Sequence, residues 1–169
     1  MNDTERAALA ILGSTPGVLR AMLAPLPDSV VSMPLERDWS PRSIVIHFLD
    51  VDHVGFRERL ERMVAETHPS IVSITDVLER MESPKYAIRS VGEMIDEFES
   101  IRRESCAWLA TLTDDQLKRT AEHDTVGEVT VSNLLHYWPH HDLGHLRQVQ
   151  RMLRALLQHQ MGNAAEWDI

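Results

Sequence analysis

The apolar residues of this chain recur mainly at helical spacing. The first such stretch covers residues 4–23, where a Gly-Ser-Thr-Pro run predicts a break: one helix over residues 4–12 and a second that restarts at Pro16 and ends near residue 23. The next stretch has the clearest start signal, with Ser40 as N-cap and Pro41 as the first helical residue. This second helix is expected to end near residues 68–69.

A third long helix begins at a capping box formed by Ser90 and Glu93. Its apolar positions continue until residues 113–115, whose polar Thr-Asp-Asp sequence predicts the end. Between the second and third helices the pattern is weaker and supports only a short helix over residues 76–81.

The last helix is predicted from about Thr130 to about residue 159, after an extended connection over residues 120–129. Pro139 lies inside it and should kink the helix and free the carbonyl of Leu135. Strand signals are weak along the whole sequence. Four long amphipathic segments therefore predict an all-α four-helix bundle.

Length and charge narrow the function classes. The chain has 169 residues and a formal net charge of −9, which fits a single domain over residues 1–169 and disfavours nucleic acid as a partner. No apolar run approaches the roughly 20 residues of a membrane span, and the acidic, polar start of the chain is unlike a signal peptide. Cys106 is the single cysteine, so no internal disulfide can form and a cytoplasmic location is expected.

Histidine is the unusual component, because four of the nine lie between residues 136 and 145. On a helical wheel of about 100° per residue, His145 falls inside the apolar stripe of the last helix and His141 falls at its margin. His136 and His140 fall on the opposite side and are expected at the surface. His141 and His145 are four residues apart, so both imidazoles can reach one metal ion.

A metal site needs a third ligand, and His47 is the best candidate. It lies on the second helix in line with Ile44, Val51 and Val54, so it faces the core. The alternative is that each inward histidine is a core residue with its own hydrogen bond. Imidazole ligands suit Zn, Ni, Fe or Cu, so the sequence does not identify the metal.

Three other polar residues are candidates for roles around these histidines. Asp50 follows His47 by about one turn and could orient a ligand. Asp142 could serve as a catalytic base, a cap or a salt-bridge partner, and Gln148 could hydrogen-bond a bound ligand. The HDLGH run at residues 141–145 carries Asp where zinc proteases of the HExxH type carry Glu, which disfavours a protease.

The remaining unusual residues are predicted to be structural. Cys106 is expected to be a small core residue, although Arg102 could lower its pKa. Trp39, Trp108 and Trp138 are expected to pack in the core. The sequence contains no serine-nucleophile motif, phosphate-binding glycine loop or basic patch.

Two segments resemble signatures of the DinB/YfiT-like superfamily: WSPRSIVIHFLD at residues 39–50, and GEVTVSNLLH at 127–136 followed by HDLGHLRQ at 141–148. The Thr-Pro pair at 15–16 and the LTDD run at 112–115 also resemble its members. The resemblance implies a bundle with up-down-down-up connectivity. It also implies one divalent metal ion (Zn, Ni or Fe) held by His47, His141 and His145.

The family resemblance also suggests functions. Its members include isomerases and transferases that use small bacterial thiols such as mycothiol or bacillithiol. The first hypothesis is therefore a metal-dependent transferase that activates a small thiol for attack on an electrophilic small molecule. The second is hydrolysis of a small substrate by metal-activated water, with Asp142 as a possible base, and the third is a non-catalytic stress-response or binding protein. A homodimer is possible.

Overall fold

The computed structural model of the protein describes residues 1–36, 39–75 and 77–167. In chain order its α-helices are α1 (Asp3–Leu23), α2 (Asp28–Val31), α3 (Pro41–Val51), α4 (Glu58–Ala65), α5 (Val77–Met81), α6 (Pro84–Ala87), α7 (Val91–Leu109), α8 (Asp114–Leu117) and α9 (Val131–Gln158). A π-helical segment, Asp52–Arg57, joins α3 to α4, and a 3₁₀ turn, Gly162–Glu166, follows α9. The strands are β1 (Ser70–Ile71), β2 (Thr120–His123) and β3 (Gly127–Thr130).

The predicted helix starts are confirmed by their capping bonds. A side-chain hydroxyl at each start accepts a hydrogen bond from the backbone N–H three residues later, which satisfies one of the donors that a helix terminus leaves free. These N-caps are Ser40, Ser90 and Thr130, at the starts of α3, α7 and α9.

The predicted break in the first helix is wrong, because α1 continues through Pro16. Proline has no N–H, so the carbonyl of Leu12 loses its usual helical partner. Arg102 of α7 supplies the missing donor, with its Nη1 at 2.8 Å from the Leu12 oxygen. A side chain from another helix thus replaces the hydrogen-bond donor that Pro16 lacks, and the helix continues. The last helix, α9, likewise runs through Pro139.

The connection over residues 120–129 is a β-hairpin rather than a simple extended linker. Strands β2 and β3 pair antiparallel, with Ala121 opposite Val129, and β1 adds to β2 in parallel. Gly127 adopts a φ of +76° at the start of β3, a conformation that glycine adopts without steric cost. The strands are too short to give an alternating pattern, and β1 is distant in sequence from the hairpin that it joins.

Other boundaries shift by a few residues. The second helix ends at Ala65 rather than at residues 68–69, and the third ends at Leu109, just before the predicted end at residues 113–115. The short helix predicted over 76–81 is α5, Val77–Met81, while position 76 lies outside the described residues.

Helix directions follow from which residues meet. Helices α1 and α9 are parallel, because Glu5 contacts Ser132 and Thr15 contacts Asp142. Helix α3 and the π-helical segment are antiparallel to α9, since His47 lies beside His145 while Phe56 stacks on Trp138.

The same segment is parallel to α7. Phe48 stacks on Phe98, and Arg57 lies over the ring of Trp108 further along both elements. The bundle is therefore up-down-down-up, as the resemblance implied, and α3 and α9 pack face to face.

Two apolar clusters fill the bundle. One contains Ile44 and Phe48 of α3 and Val149 of α9; the other contains Phe56 of the π-helical segment and Trp138 of α9. Along α9, His141 and His145 lie between the two clusters, and on α3 His47 lies within the first cluster. Among the described residues, no helix combines the length and apolarity needed to cross a bilayer.

Candidate metal centre

Three histidines from α3 and α9 converge at the junction of the two apolar clusters. The Nε2 atoms of His47 and His141 are 3.2 Å apart, and the ring of His145 lies 4.5 Å from each of the other two ring centroids. One ring nitrogen from each residue falls within 4.8 Å of the others. The antiparallel packing of α3 against α9 therefore brings together residues that are separated by about a hundred positions in sequence.

The spacing of two of these nitrogens matches what one metal ion requires. Two ligands at about 2.0–2.1 Å from a tetrahedral metal lie about 3.3 Å from each other, close to the observed separation of His47 Nε2 and His141 Nε2. Two lone pairs at 3.2 Å without a shared cation or proton would repel each other. The donor set therefore fits a divalent ion bound through imidazole.

Gln148 fixes the orientation of the third ring. Its Oε1 lies 3.0 Å from Nδ1 of His145, so Nδ1 carries the proton and Nε2 keeps the free lone pair. Gln148 was expected to contact a bound ligand; in the structure it bonds to the candidate metal ligand itself, and the i, i+3 spacing on one helix makes this possible.

Burial keeps two of the three imidazoles neutral. Burial, with a smaller contribution from the neighbouring histidines, lowers the pKa of His47 to about 3 and that of His145 to about 4. Metal binding needs the neutral ring, so these two ligands are in the binding form at neutral pH.

The three histidines differ in how much solvent reaches them. His47 is only 6% exposed, whereas His141 and His145 are partly exposed. The cluster thus has a buried side formed by α3 and a partly exposed side formed by α9.

Aromatic side chains surround the rings. Trp39 stacks on His145 at 6.0 Å between ring centroids and meets His47 edge-on at 5.4 Å. Phe48 and Phe56 pack against the rings from α3 and the π-helical segment, and the half-exposed Tyr137 lies 6.4 Å from His141. Trp39 was expected only to pack in the core. Sequence reasoning missed its second role, because Trp39 precedes the helix and its contacts leave no spacing signal. It also missed Tyr137, which could have been found because it precedes His141 by four residues on the same helix.

Asp142 lies directly behind this cluster in a buried ionic network. It has no solvent exposure; its Oδ2 accepts hydrogen bonds from Thr15 Oγ1 at 2.8 Å and Arg102 Nη1 at 2.5 Å. Arg102 also donates to Asp52 in the π-helical segment. Burial raises the pKa of Asp52, and the Arg102 charge opposes this increase. An aspartate held in this way is not accessible to a substrate as a base.

The other polar candidates lie outside the cluster. Asp50 is buried on α3, and its expected role in orienting a metal ligand stays a prediction. His136 and His140 are exposed on the outer face of α9, as predicted. Burial raises the pKa of the Cys106 thiol although Arg102 opposes this effect, which agrees with a structural role.

A family model described as the DinB superfamily matches residues 11–149. The chain belongs to the DinB superfamily. Among solved structures, this DinB protein is similar to YfiT from Bacillus subtilis, a probable metal-dependent hydrolase with an unusual four-helix bundle topology. The two share 22% sequence identity with a TM-score of 0.83, over 92% of this chain and 90% of that one. No curated protein matches the chain.

Proposed function

We propose that this DinB-superfamily protein is a mononuclear metal-dependent enzyme that hydrolyses a small substrate. The observation that carries the proposal is the convergence of His47, His141 and His145, whose ligand atoms lie within 4.8 Å of one another while two of the rings remain partly exposed. Three protein ligands leave at least one coordination position open, which is the layout of a catalytic rather than a structural site.

A bound divalent metal would supply Lewis acidity, which lowers the pKa of a coordinated water and so provides a nucleophile at neutral pH. The chain's own residues perform the remaining tasks. His47 forms the buried side of the site, Gln148 holds the proton on Nδ1 of His145, and the Trp39 ring covers one face of the cluster. These contacts orient the ligands and limit the access of bulk water.

Similarity to YfiT, which is itself a probable metal-dependent hydrolase, supports hydrolysis as the reaction class. The thiol transferase expected from the family resemblance remains a second proposal. Both reactions would use the same site, because a metal that activates water also lowers the pKa of a bound thiol. The proposed metal is Zn, Ni or Fe, and the proposed partner is a small molecule rather than a nucleic acid.

The first test measures metal content. Elemental analysis of the purified protein is expected to find about one divalent ion per chain, because the structure brings together one set of three imidazoles. The His145→Ala variant is expected to lose most of this ion, while His140→Ala, which alters an exposed histidine on the same helix, should keep it. A full complement of metal in His145→Ala would show that the site lies elsewhere.

The second test separates the reaction classes. The metal-loaded protein is assayed against a panel of small esters, amides and lactones, first without and then with an added low-molecular-weight thiol. Turnover without thiol that His145→Ala abolishes supports hydrolysis. Turnover that requires the thiol and consumes it supports transfer, and stable metal binding without turnover in either arm supports a non-catalytic protein.

A further inference from the structure

We propose that Asp142 is a positioning residue for the metal site: its free carboxylate oxygen accepts a hydrogen bond from Nδ1 of His141 when Nε2 of that ring binds the metal. This inference rests on the proposed function, in which the three histidines bind a metal ion. It assigns a purpose to a buried network that the metal ligands alone do not explain.

The Asp142 carboxylate is anchored through one oxygen. Thr15 Oγ1 and Arg102 Nη1 both donate to Oδ2, at 2.8 and 2.5 Å. The other oxygen, Oδ1, is buried and has no hydrogen-bond partner among the described residues. An anionic oxygen without a partner in a dry interior is costly, so its presence indicates a donor that arrives in another state of the protein.

His141 provides the matching donor. Its Nδ1 is also buried and, within the described parts of the chain, has no hydrogen-bond partner. It lies 3.7 Å from Asp142 Oδ1, which is slightly too far for a hydrogen bond. Two orphaned polar atoms therefore face each other at a distance that a small rotation of the ring would close.

Metal binding gives the physical reason for this rotation. When Nε2 of His141 coordinates a cation, the proton of the neutral ring must be on Nδ1. The resulting N–H cannot reach water because the atom is buried, so it needs a protein acceptor. Asp142 Oδ1 is placed to accept it, and a hydrogen bond to a carboxylate makes the imidazole a stronger ligand.

The rest of the network holds Asp142 still. Arg102 is fixed by Asp52 on one side and by the Leu12 carbonyl, freed by Pro16, on another. The anchoring groups come from α1, α7 and the π-helical segment, and Asp142 comes from α9. Pro16 frees the Leu12 carbonyl, and this carbonyl helps to fix Arg102. Pro16 thus contributes to positioning the Asp142 carboxylate behind His141.

Asp52 offers a matched control. Both aspartates are fully buried and both pair with Arg102, but among the described contacts only Asp142 approaches a site histidine. In Asp142→Asn the amide oxygen would turn to Arg102 and Thr15, which leaves the amide N–H₂ facing the His141 N–H. Asp52→Asn weakens the same ion-pair network without changing that contact.

The experiment compares Zn²⁺ affinity of the wild-type protein, Asp142→Asn and Asp52→Asn by competition with a chromophoric chelator. Asp142→Asn is expected to bind Zn²⁺ about 10- to 100-fold more weakly, the range typical for loss of an outer hydrogen-bond partner, while Asp52→Asn, which loosens the anchor of Arg102 but keeps the carboxylate that faces His141, is expected to lose clearly less affinity. Equal affinity in all three proteins, or equal loss in both variants, would overturn the proposal.

A second readout needs no variant. Nitrogen-detected NMR of the histidine rings in the Zn²⁺-loaded wild-type protein should show His141 protonated at Nδ1, with a slowly exchanging, strongly downfield proton. A His141 that coordinates through Nδ1, or whose Nδ1 proton exchanges as freely as a surface histidine's, would contradict the inference even if both variants failed to fold. If the wild-type protein binds no Zn²⁺ at all, the proposed function fails and this inference fails with it.

Discussion

Each of the three site histidines has a different environment at the ring nitrogen that faces away from the cluster. His145 bonds to Gln148, His141 faces Asp142 at 3.7 Å, and His47 Nδ1 is buried without a partner among the described residues. Affinity for a metal depends on these outer contacts as well as on the ligands, because they fix which nitrogen keeps its lone pair. The contacts of single side chains with the ring nitrogens therefore set the metal affinity of the site.

Gln148 gives a direct test at this scale. Gln148→Leu removes the acceptor for His145 Nδ1, and we expect metal affinity to fall by about 10-fold or more while the fold is kept, because the residue is only half-buried. The measurement is Zn²⁺ competition with a chelator. Gln150→Leu, an exposed change two residues along the same helix, is the control, and a similar loss in both variants would show a general effect on α9.

At the scale of elements, buried charges link the helices that carry the site. Arg102 of α7 connects Asp52 in the π-helical segment, Asp142 of α9 and the Leu12 carbonyl of α1. The π-helical segment is part of this arrangement, since it directs Asp52 toward Arg102 and Phe56 toward Trp138. Wider helical turns of this kind occur often at functional sites.

Removing Arg102 should destabilise the bundle strongly. Arg102→Met leaves two buried carboxylates and a backbone carbonyl without their donor, and breaking a buried pair by deleting one partner costs about 3–5 kcal/mol. Urea denaturation of the metal-free protein measures the change in the free energy of unfolding. Arg103→Met, at the adjacent exposed position, should change it by less than about 0.5 kcal/mol. If the two variants are equally stable, Arg102 does not hold the helices together.

At the scale of the whole molecule, connectivity determines which helices meet. An up-down-down-up bundle makes α3 and α9 antiparallel neighbours, so His47 is placed opposite His141 and His145. Along α9 the two apolar clusters lie on either side of His141 and His145, so the site lies inside the bundle. The cost of this arrangement is that polar rings are buried in the bundle.

This burial predicts how stability depends on pH. The folded-state pKa values of His47 and His145, about 3 and about 4, lie below the unfolded value of 6.5. Below pH 6.5 the unfolded chain therefore binds protons that the folded chain does not, so the free energy of unfolding falls as pH decreases. From pH 7 to pH 5 the two rings together should remove roughly 3–4 kcal/mol from the stability of the metal-free protein.

Urea denaturation at several pH values, in the presence of a chelator, measures this slope. The His47→Gln variant lacks one of the two rings and should lose about 1.4 kcal/mol less per pH unit between pH 6 and pH 4.5. His140→Gln, at an exposed position, should follow the wild-type curve. A wild-type slope no steeper than that of His47→Gln would mean that His47 is protonated in the folded protein.

The sequence by itself determined the helical class, the starts of three long helices and the identity of the three inward histidines, because helical periodicity and capping are local and leave a pattern in the chain. Only the tertiary structure decided that α1 continues through Pro16, that residues 120–129 form a hairpin joined by β1, and that Asp142 is buried beside His141 while Gln148 bonds to His145. These features depend on partners distant in sequence, or on rotamers set by packing. A residue such as Arg102, whose role comes from partners on three other segments of the fold, leaves no local signal.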